Sequence, residues 1–163
     1  MSPLTALQDI ENRPVNAAQA PDNQNRSLEN VTKMALKVEI KPGERIIIGD
    51  ALITNDGHRT RLFIEGDAPI LREKDIMRPD DADTPCKKIY LLIQMMYLAD
   101  DPRQHHKLYF QLIDDILKAA PSTLALIDQI NNQILAGSYY KALKLAKNLI
   151  AYEKELMDNA KRS

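Results

Sequence analysis

Residues 36–78 constrain this chain more than any other stretch, because turn-forming residues break it at short intervals. Pro42-Gly43, Gly49-Asp50, Asn55-Asp56-Gly57 and Gly66-Asp67 leave no room for a helix of useful length, and four of the chain's five glycines lie here. Between the breaks the apolar residues alternate. Leu36, Val38 and Ile40 face one way and Lys37, Glu39 and Lys41 the other; Thr60, Leu62 and Ile64 oppose Arg59, Arg61, Phe63 and Glu65 in the same manner. That period of two belongs to strands with one wet face. The breaks predict strands over 36–41, 45–48, 51–54, 60–65 and 69–72. The first two form a hairpin at Pro42-Gly43, and the turn at 55–57 joins the third to the fourth. The small core that results needs a second layer, either the chain's own helices or a second copy of the sheet.

The pattern changes period after residue 78. PDDADTP, residues 79–85, marks a boundary, with Thr84 placed to cap a helix that has Pro85 at its first position. Ile89, Leu92, Ile93 and Met96 then recur at helical spacing, flanked by Leu91, Met95 and Leu98. A second helix starts at Asp101-Pro102 with the stripe Leu108, Leu112, Ile116, flanked by Tyr109, Ile113 and Leu117, and ends at Ala120-Pro121. A third runs over 123–135 with Leu124, Ile127, Ile130 and Ile134 inward and Gly137 as its C-cap. Ser138 caps a fourth, whose apolar rows are Tyr139, Leu143, Ala146, Ile150 and Ala142, Leu145, Leu149, Tyr152, Leu156; its end, DNAKRS, is expected to fray. Residues 1–33 hold three prolines and little to bury, so they read as a disordered extension, with the folded module beginning at about Met34. The expected organisation is an extension (1–33), an antiparallel β module (34–78) and a helical module (79–163). Segregated halves of this kind make the fold α+β.

The totals exclude several function classes. With 22 basic and 23 acidic residues the net charge is −1, so nucleic acid would have to be bound by a local patch. One cysteine, Cys86, forbids an internal disulfide and fits a reducing compartment. No window approaches the length of a membrane-spanning helix and no leader-like apolar segment is present, which points to the cytoplasm. Catalytic chemistry finds little footing. His105-His106 diverge around a helix by about 100°, so they read as exposed helix surface, not a metal pair. Cys86 beside Lys87 and Lys88 has the setting of a lowered thiol pKa but no identifiable base, so a partly buried helix residue is the simpler reading. Neither a phosphate loop nor a calcium loop is present. No enzyme, metal or cofactor is expected.

Basic residues carry more information. Arg59 and Arg61 share a strand face, and Arg72 and Lys74 flank Glu73, while Lys41 stands at the first turn. A solvated mixed-charge sheet and an edge that grips single-stranded RNA are both compatible with this arrangement. On the last helix Lys141, Lys144 and Lys147 form a ridge, a possible secondary phosphate patch, though lysines snorkelling around an apolar helix look the same.

Four blocks add a resemblance. LKVEIKPGE (36–44), LREKDIMRP (71–79), KKIYLLIQMMYL (87–98) and AGSYYKALKLAKNLIAYE (136–153) are similar, in that order, to the FlbT family of flagellum-biosynthesis regulators. The resemblance implies a non-enzymatic post-transcriptional regulator, associated with repression, that binds the 5′ untranslated leader of flagellin mRNA and alters its stability or translation. It also implies a FlaF-like flagellar regulator as partner. The strand stretch separately resembles the carbon-storage-regulator family of RNA-binding proteins through KPGERIIIGD, TNDG and GDAPILREKDI. That likeness implies a five-stranded sheet, a homodimer through the β module, and RNA contact by Arg72, which precedes Glu73 on the last strand. The candidate RNA contacts are therefore Arg72, Lys74, Arg59, Arg61 and Lys41. The alternative is a protein–protein adaptor that uses its helices and touches RNA only indirectly.

Overall fold

The computed structural model describes residues 35–162, so the expected extension over 1–33 lies outside the described residues. The chain divides after Asp75 into a strand unit and a helical unit, as α+β segregation requires.

The strand unit contains β1 (Leu36–Ile40), β2 (Arg45–Ile48), β3 (Ala51–Thr54), β4 (Thr60–Ile64) and β5 (Ile70–Arg72), all in antiparallel pairs. They do not form the single five-stranded sheet that was expected. β1 pairs only with β4, and a separate sheet has the order β3-β2-β5. Turn chemistry explains the division. At Lys41-Pro42-Gly43-Glu44 the Glu44 amide donates to the Lys41 carbonyl (3.0 Å) and Gly43 has φ +77°, a type II turn. Such a turn twists against paired strands and splays them, so β1 and β2 separate instead of forming the predicted hairpin. The tight hairpin lies one break later. Ile48 pairs with Ala51 across a two-residue loop, with Gly49 at φ +63° as the primed turns require.

The predicted turn at 55–57 joins no hairpin either, because β3 and β4 are unpaired. Asn55 instead folds back on the first turn. Its amide donates to the Glu44 carbonyl (3.0 Å), its carbonyl accepts from Gly43 (2.6 Å), and its side-chain Nδ2 donates to the carbonyls of Ile40 (3.0 Å), Lys41 (3.1 Å) and His58 (2.8 Å). Asn55 therefore ties the end of β1 to the β3–β4 connection. The second layer for this small core comes from within the strand unit itself. Val38, Ile40 and Ile46 are fully buried, and Ile48, Leu62, Ile64 and Ile70 pack around them, so both sheets contribute to one core. Each fully buried aliphatic side chain of this size contributes about 1.5–3 kcal/mol.

The helical unit contains α1 (Pro85–Leu98), α2 (His106–Ala119), α3 (Leu124–Leu135) and α4 (Tyr139–Arg162). α4 packs against both α1 and α3, and α1 also meets α2. Thr84 caps α1 as its position predicts, its hydroxyl accepting the Lys87 amide (3.3 Å) with Pro85 behind it. Asp101 caps a 3-10 turn, Pro102–His105, that leads into α2. α3 ends in a Schellman motif: Gly137, at φ +74°, donates to Ile134 (3.1 Å) and Ser138 to Gln133 (2.8 Å).

The α1 stripe is placed as expected, with Ile89, Leu92, Ile93 and Met96 buried. In α2 the buried row is Tyr109, Ile113 and Ile116, and Leu108 is half exposed. The row expected beside the main stripe is thus the more deeply buried one, and the Tyr109 hydroxyl donates to Asn131 Oδ1 (2.7 Å). Leu124 is likewise exposed, while Ile127, Ile130 and Ile134 are buried as expected. The expected frayed end of α4 is helical through Arg162, with Lys161 and Arg162 in the last turn, where cations suit the helix dipole. No helix among the described residues is long and apolar enough to cross a membrane.

Candidate nucleic-acid interface

The type II turn and the end of β5 open a groove of about 620 Å³ on the strand unit. Its basic lining is Lys41, Arg59, Arg72 and Lys74; its acidic lining is Glu39, Glu44 and Glu73. Four of the five predicted contacts thus converge from three segments: the first turn, the start of β4 and the end of β5. Arg61 does not join them: it lies on the exposed outer face of the β1–β4 sheet, opposite Glu39 in the register.

Each carboxylate in the groove is engaged by a neighbour. Glu39 holds Arg59, with Nη1 donating to Oε1 at 2.9 Å. Glu44 accepts the Lys41 amide at 3.0 Å. Glu73 turns toward Arg45, accepting its amide at 3.2 Å and lying 3.7 Å from its Nε. The partnered carboxylates leave the ammonium of Lys74 without an ion pair among the described residues.

Arg72 has a fixed orientation. In the register it lies opposite Ile46, on the face that bears the core, and its side chain runs out along that face until Nη2 donates to the main-chain carbonyl of Glu39 (3.1 Å). Its Nε is buried and has no hydrogen-bond partner among the described residues. A guanidinium held in this way still presents its remaining Nη donors in a fixed fork, the geometry suited to a phosphate or a base edge. The groove can therefore receive a polyanion whose phosphates meet Lys41, Lys74 and Arg59 while Arg72 supplies directional hydrogen bonds.

Two residues important here were given no role in the sequence reading. Glu39 orients both Arg59 and Arg72, the first through its carboxylate and the second through its carbonyl. The signal for the first was the cross-strand register, which sequence alone did not supply. The other is Phe63, 68 % exposed on the outer face of β4. An aromatic residue in the polar phase of an alternating strand was visible in the sequence.

The ridge on α4 is not a row of solvated ammoniums. Lys141 is exposed, but Lys144 and Lys147 are half-buried and each interacts with neighbours; Lys144 Nζ lies 5.1 Å from the Tyr140 ring centroid. His105 and His106 are half-buried, not the exposed surface expected, because His106 Nε2 lies 3.2 Å from the Tyr139 hydroxyl and its ring faces the edge of Phe110. Burial, with the neighbouring His106, holds His105 below the usual imidazole range against the pull of Asp101.

Cys86 is fully buried at the start of α1. Burial first, and then hydrogen bonding to and the charge of Glu153, push its thiol up to about 12, the opposite of an activated nucleophile. Lys87 is turned away to Asp83 (3.0 Å). No group of three metal-ligating side chains occurs among the described residues.

The model of a family described as flagellar protein FlbT matches residues 36–157. Relatives include a probable flagellum biosynthesis repressor protein FlbT 1 of Bradyrhizobium diazoefficiens, 54 % identical over 76 % of this chain and 85 % of its own length. A probable flagellum biosynthesis repressor protein FlbT of Rhodopseudomonas palustris is 49 % identical over 76 % of this chain and 98 % of its own. The flagellum biosynthesis repressor protein FlbT of Caulobacter vibrioides is 35 % identical over 75 % of this chain and 89 % of its own. No solved structure matches the chain, and the likeness to the carbon-storage-regulator family is not confirmed.

Proposed function

The chain belongs to the FlbT family of flagellar proteins, and from that premise we propose that it represses flagellar synthesis in the cytoplasm by binding the 5′ untranslated leader of flagellin mRNA. The observation that supports this reading is the convergence of Lys41, Arg59, Arg72 and Lys74 on one groove whose carboxylates are already engaged. Single-stranded RNA suits such a groove better than a duplex, because unpaired bases leave their edges open to a guanidinium. The molecule's overall charge of −1 gives no general attraction, so selectivity rests on the local cations.

The test is binding of the purified protein to its flagellin leader and to a scrambled RNA across a salt series. Selective binding with a slope of log affinity on log salt of roughly −2 to −3 matches three or four phosphate contacts on a single strand. Lys74→Ala lowers that slope by about 0.7, as loss of one contact requires. Equal binding of both RNAs, or none, overturns the reading.

The adaptor reading has an observation of its own. The helical unit carries a mostly apolar cleft of about 360 Å³, lined by Cys86, Leu112, Ile116 and Leu156 with Glu153 at its side, a size and chemistry that can receive an apolar side chain from a protein such as a FlaF-like regulator. A protein that ignores its leader but binds that partner, and loses the partner on Leu112→Glu, is an adaptor. The oligomeric state belongs in the same buffers. The argument that a thin sheet needs a homodimer weakens once the strand unit supplies both layers of its own core.

A further inference from the structure

The outer face of the β1–β4 sheet is composed unlike an ordinary solvated face. Its inner residues, Val38, Ile40, Leu62 and Ile64, pack into or around the core. On the outside Phe63 stands opposite Lys37, and Arg61 opposite Glu39. Phe63 is 68 % exposed, and Lys37 and Arg61 are exposed as well. Leaving a phenyl ring in water forgoes much of the stabilisation that its burial would contribute. Its cross-strand partner is a lysine and its neighbours along the same face are Arg61 and Glu65, so no contiguous apolar patch surrounds it. A protein interface is built on such a patch. A lone aromatic ring flanked by cations has a different use: it stacks on a base while the cations hold the adjacent phosphates.

The face also continues the groove. Glu39 and Arg59 line the groove, and two residues further along each strand, on the same side, stand Lys37 and Arg61, with Phe63 beyond. From Arg59 to Phe63 the strand advances about 13 Å at the usual rise per residue. The acid on the face is partly neutralised, because Glu39 is engaged by Arg59. Glu65, just beyond the end of β4, closes the strip with an opposing charge.

We propose that Phe63 is a stacking platform for an unpaired base of single-stranded RNA, with Lys37 and Arg61 holding the flanking phosphates, so that the strand leaving the groove runs along the outer face of β1–β4. This rests on the reading of the protein as an RNA binder and adds the path of the strand and the chemical class of ligand, an unpaired nucleotide.

The experiment compares wild type, Phe63→Leu, Phe63→Trp and Lys37→Ala on two probes, the flagellin leader and an unstructured pyrimidine-rich RNA. All four proteins are first shown to unfold at similar temperatures. Phe63→Leu keeps an apolar side chain but removes the ring, and is expected to weaken binding of both probes roughly ten-fold or more. Its salt slope stays unchanged, because no charge is lost. Phe63→Trp binds at least as well as wild type, and ring stacking quenches its fluorescence when RNA is added. Lys37→Ala lowers the slope by about 0.7. If wild type binds and Phe63→Leu binds equally well, the platform is wrong while the RNA reading stands. Binding of the unstructured RNA without preference for the leader keeps the platform and removes the leader as target. If wild type binds neither probe, both proposals fall.

Discussion

Arg72, on the last strand, donates from Nη2 to the main-chain carbonyl of Glu39, on the first, at 3.1 Å and a sequence separation of 33 residues. The residue proposed as the directional RNA contact therefore also ties the two sheets together. Arg72→Ala is expected to lower stability by about 1 kcal/mol, the usual contribution of one intramolecular hydrogen bond, in addition to weakening leader binding. Arg72→Lys keeps the charge and loses the fork. It should retain most of the salt dependence while losing discrimination between leader and scrambled RNA. Denaturant midpoints and binding isotherms on the same preparations separate the two effects. Unchanged leader binding by a folded Arg72→Ala removes the residue from the interface.

Asn55 supplies a prediction for the strand unit. Its Nδ2 is shared among three carbonyls, those of Ile40, Lys41 and His58. Asn55→Ala should cost roughly 1–3 kcal/mol by leaving these acceptors less well satisfied. Asn55→Asp should cost more, since it replaces the donor with a carboxylate oxygen facing the same carbonyls. The ordering of the two denaturant midpoints is the check, and an aspartate variant as stable as wild type would show that the shared amide is not what holds the segment.

Gln94 makes the corresponding tie in the helical unit. It is buried in α1 and clamps the backbone of Met77, its Oε1 accepting the amide (2.7 Å) and its Nε2 donating to the carbonyl (3.1 Å). Gln94→Met preserves volume but leaves both backbone groups unpaired, with an expected loss on the order of 2 kcal/mol or more. Hydrogen exchange at the Met77 amide should accelerate with it; unchanged protection of that amide would place its main partner elsewhere.

Glu153 reaches from α4 to the start of α1, accepting the Thr84 hydroxyl and the Cys86 amide (3.0 Å). It also helps to hold the Cys86 proton. An ordinary thiol ionises near 9.0, whereas the folded one keeps its proton to about 12, so between those values the folded state binds more protons than the unfolded. The stability contributed by this difference is complete below pH 9 and declines as pH rises toward 12. Cys86→Ala should flatten that part of the alkaline decline. Tyr109, whose hydroxyl burial pushes up, contributes to the same decline at higher pH. In native protein at neutral pH the thiol should resist a disulfide reagent and react only on unfolding. Rapid native-state labelling would contradict its burial.

The sequence alone determined the segregation of strands and helices, the α1 stripe and the caps at Thr84 and Gly137. These follow from short-range rules: side-chain period, helix capping and the positive φ that only glycine adopts freely. It also identified the basic residues of the strand unit and, through four sequence blocks, the family. Strand pairing needed the tertiary structure. The same Pro42-Gly43 turn that sequence reads as a hairpin splays β1 from β2, and the choice of β4 as the partner of β1 depends on a core drawn from residues 38 to 70. Helix phase was settled in the same way: of the two adjoining rows that the α2 sequence offers, Tyr109 and Ile113 turn inward and Leu108 outward, and Asn131 accepts from the buried hydroxyl. The groove is likewise tertiary. Lys41, Arg59, Arg72 and Lys74 are scattered over more than thirty positions, and only long-range pairing, whose energy no local pattern contains, brings them to one place and leaves Arg61 outside.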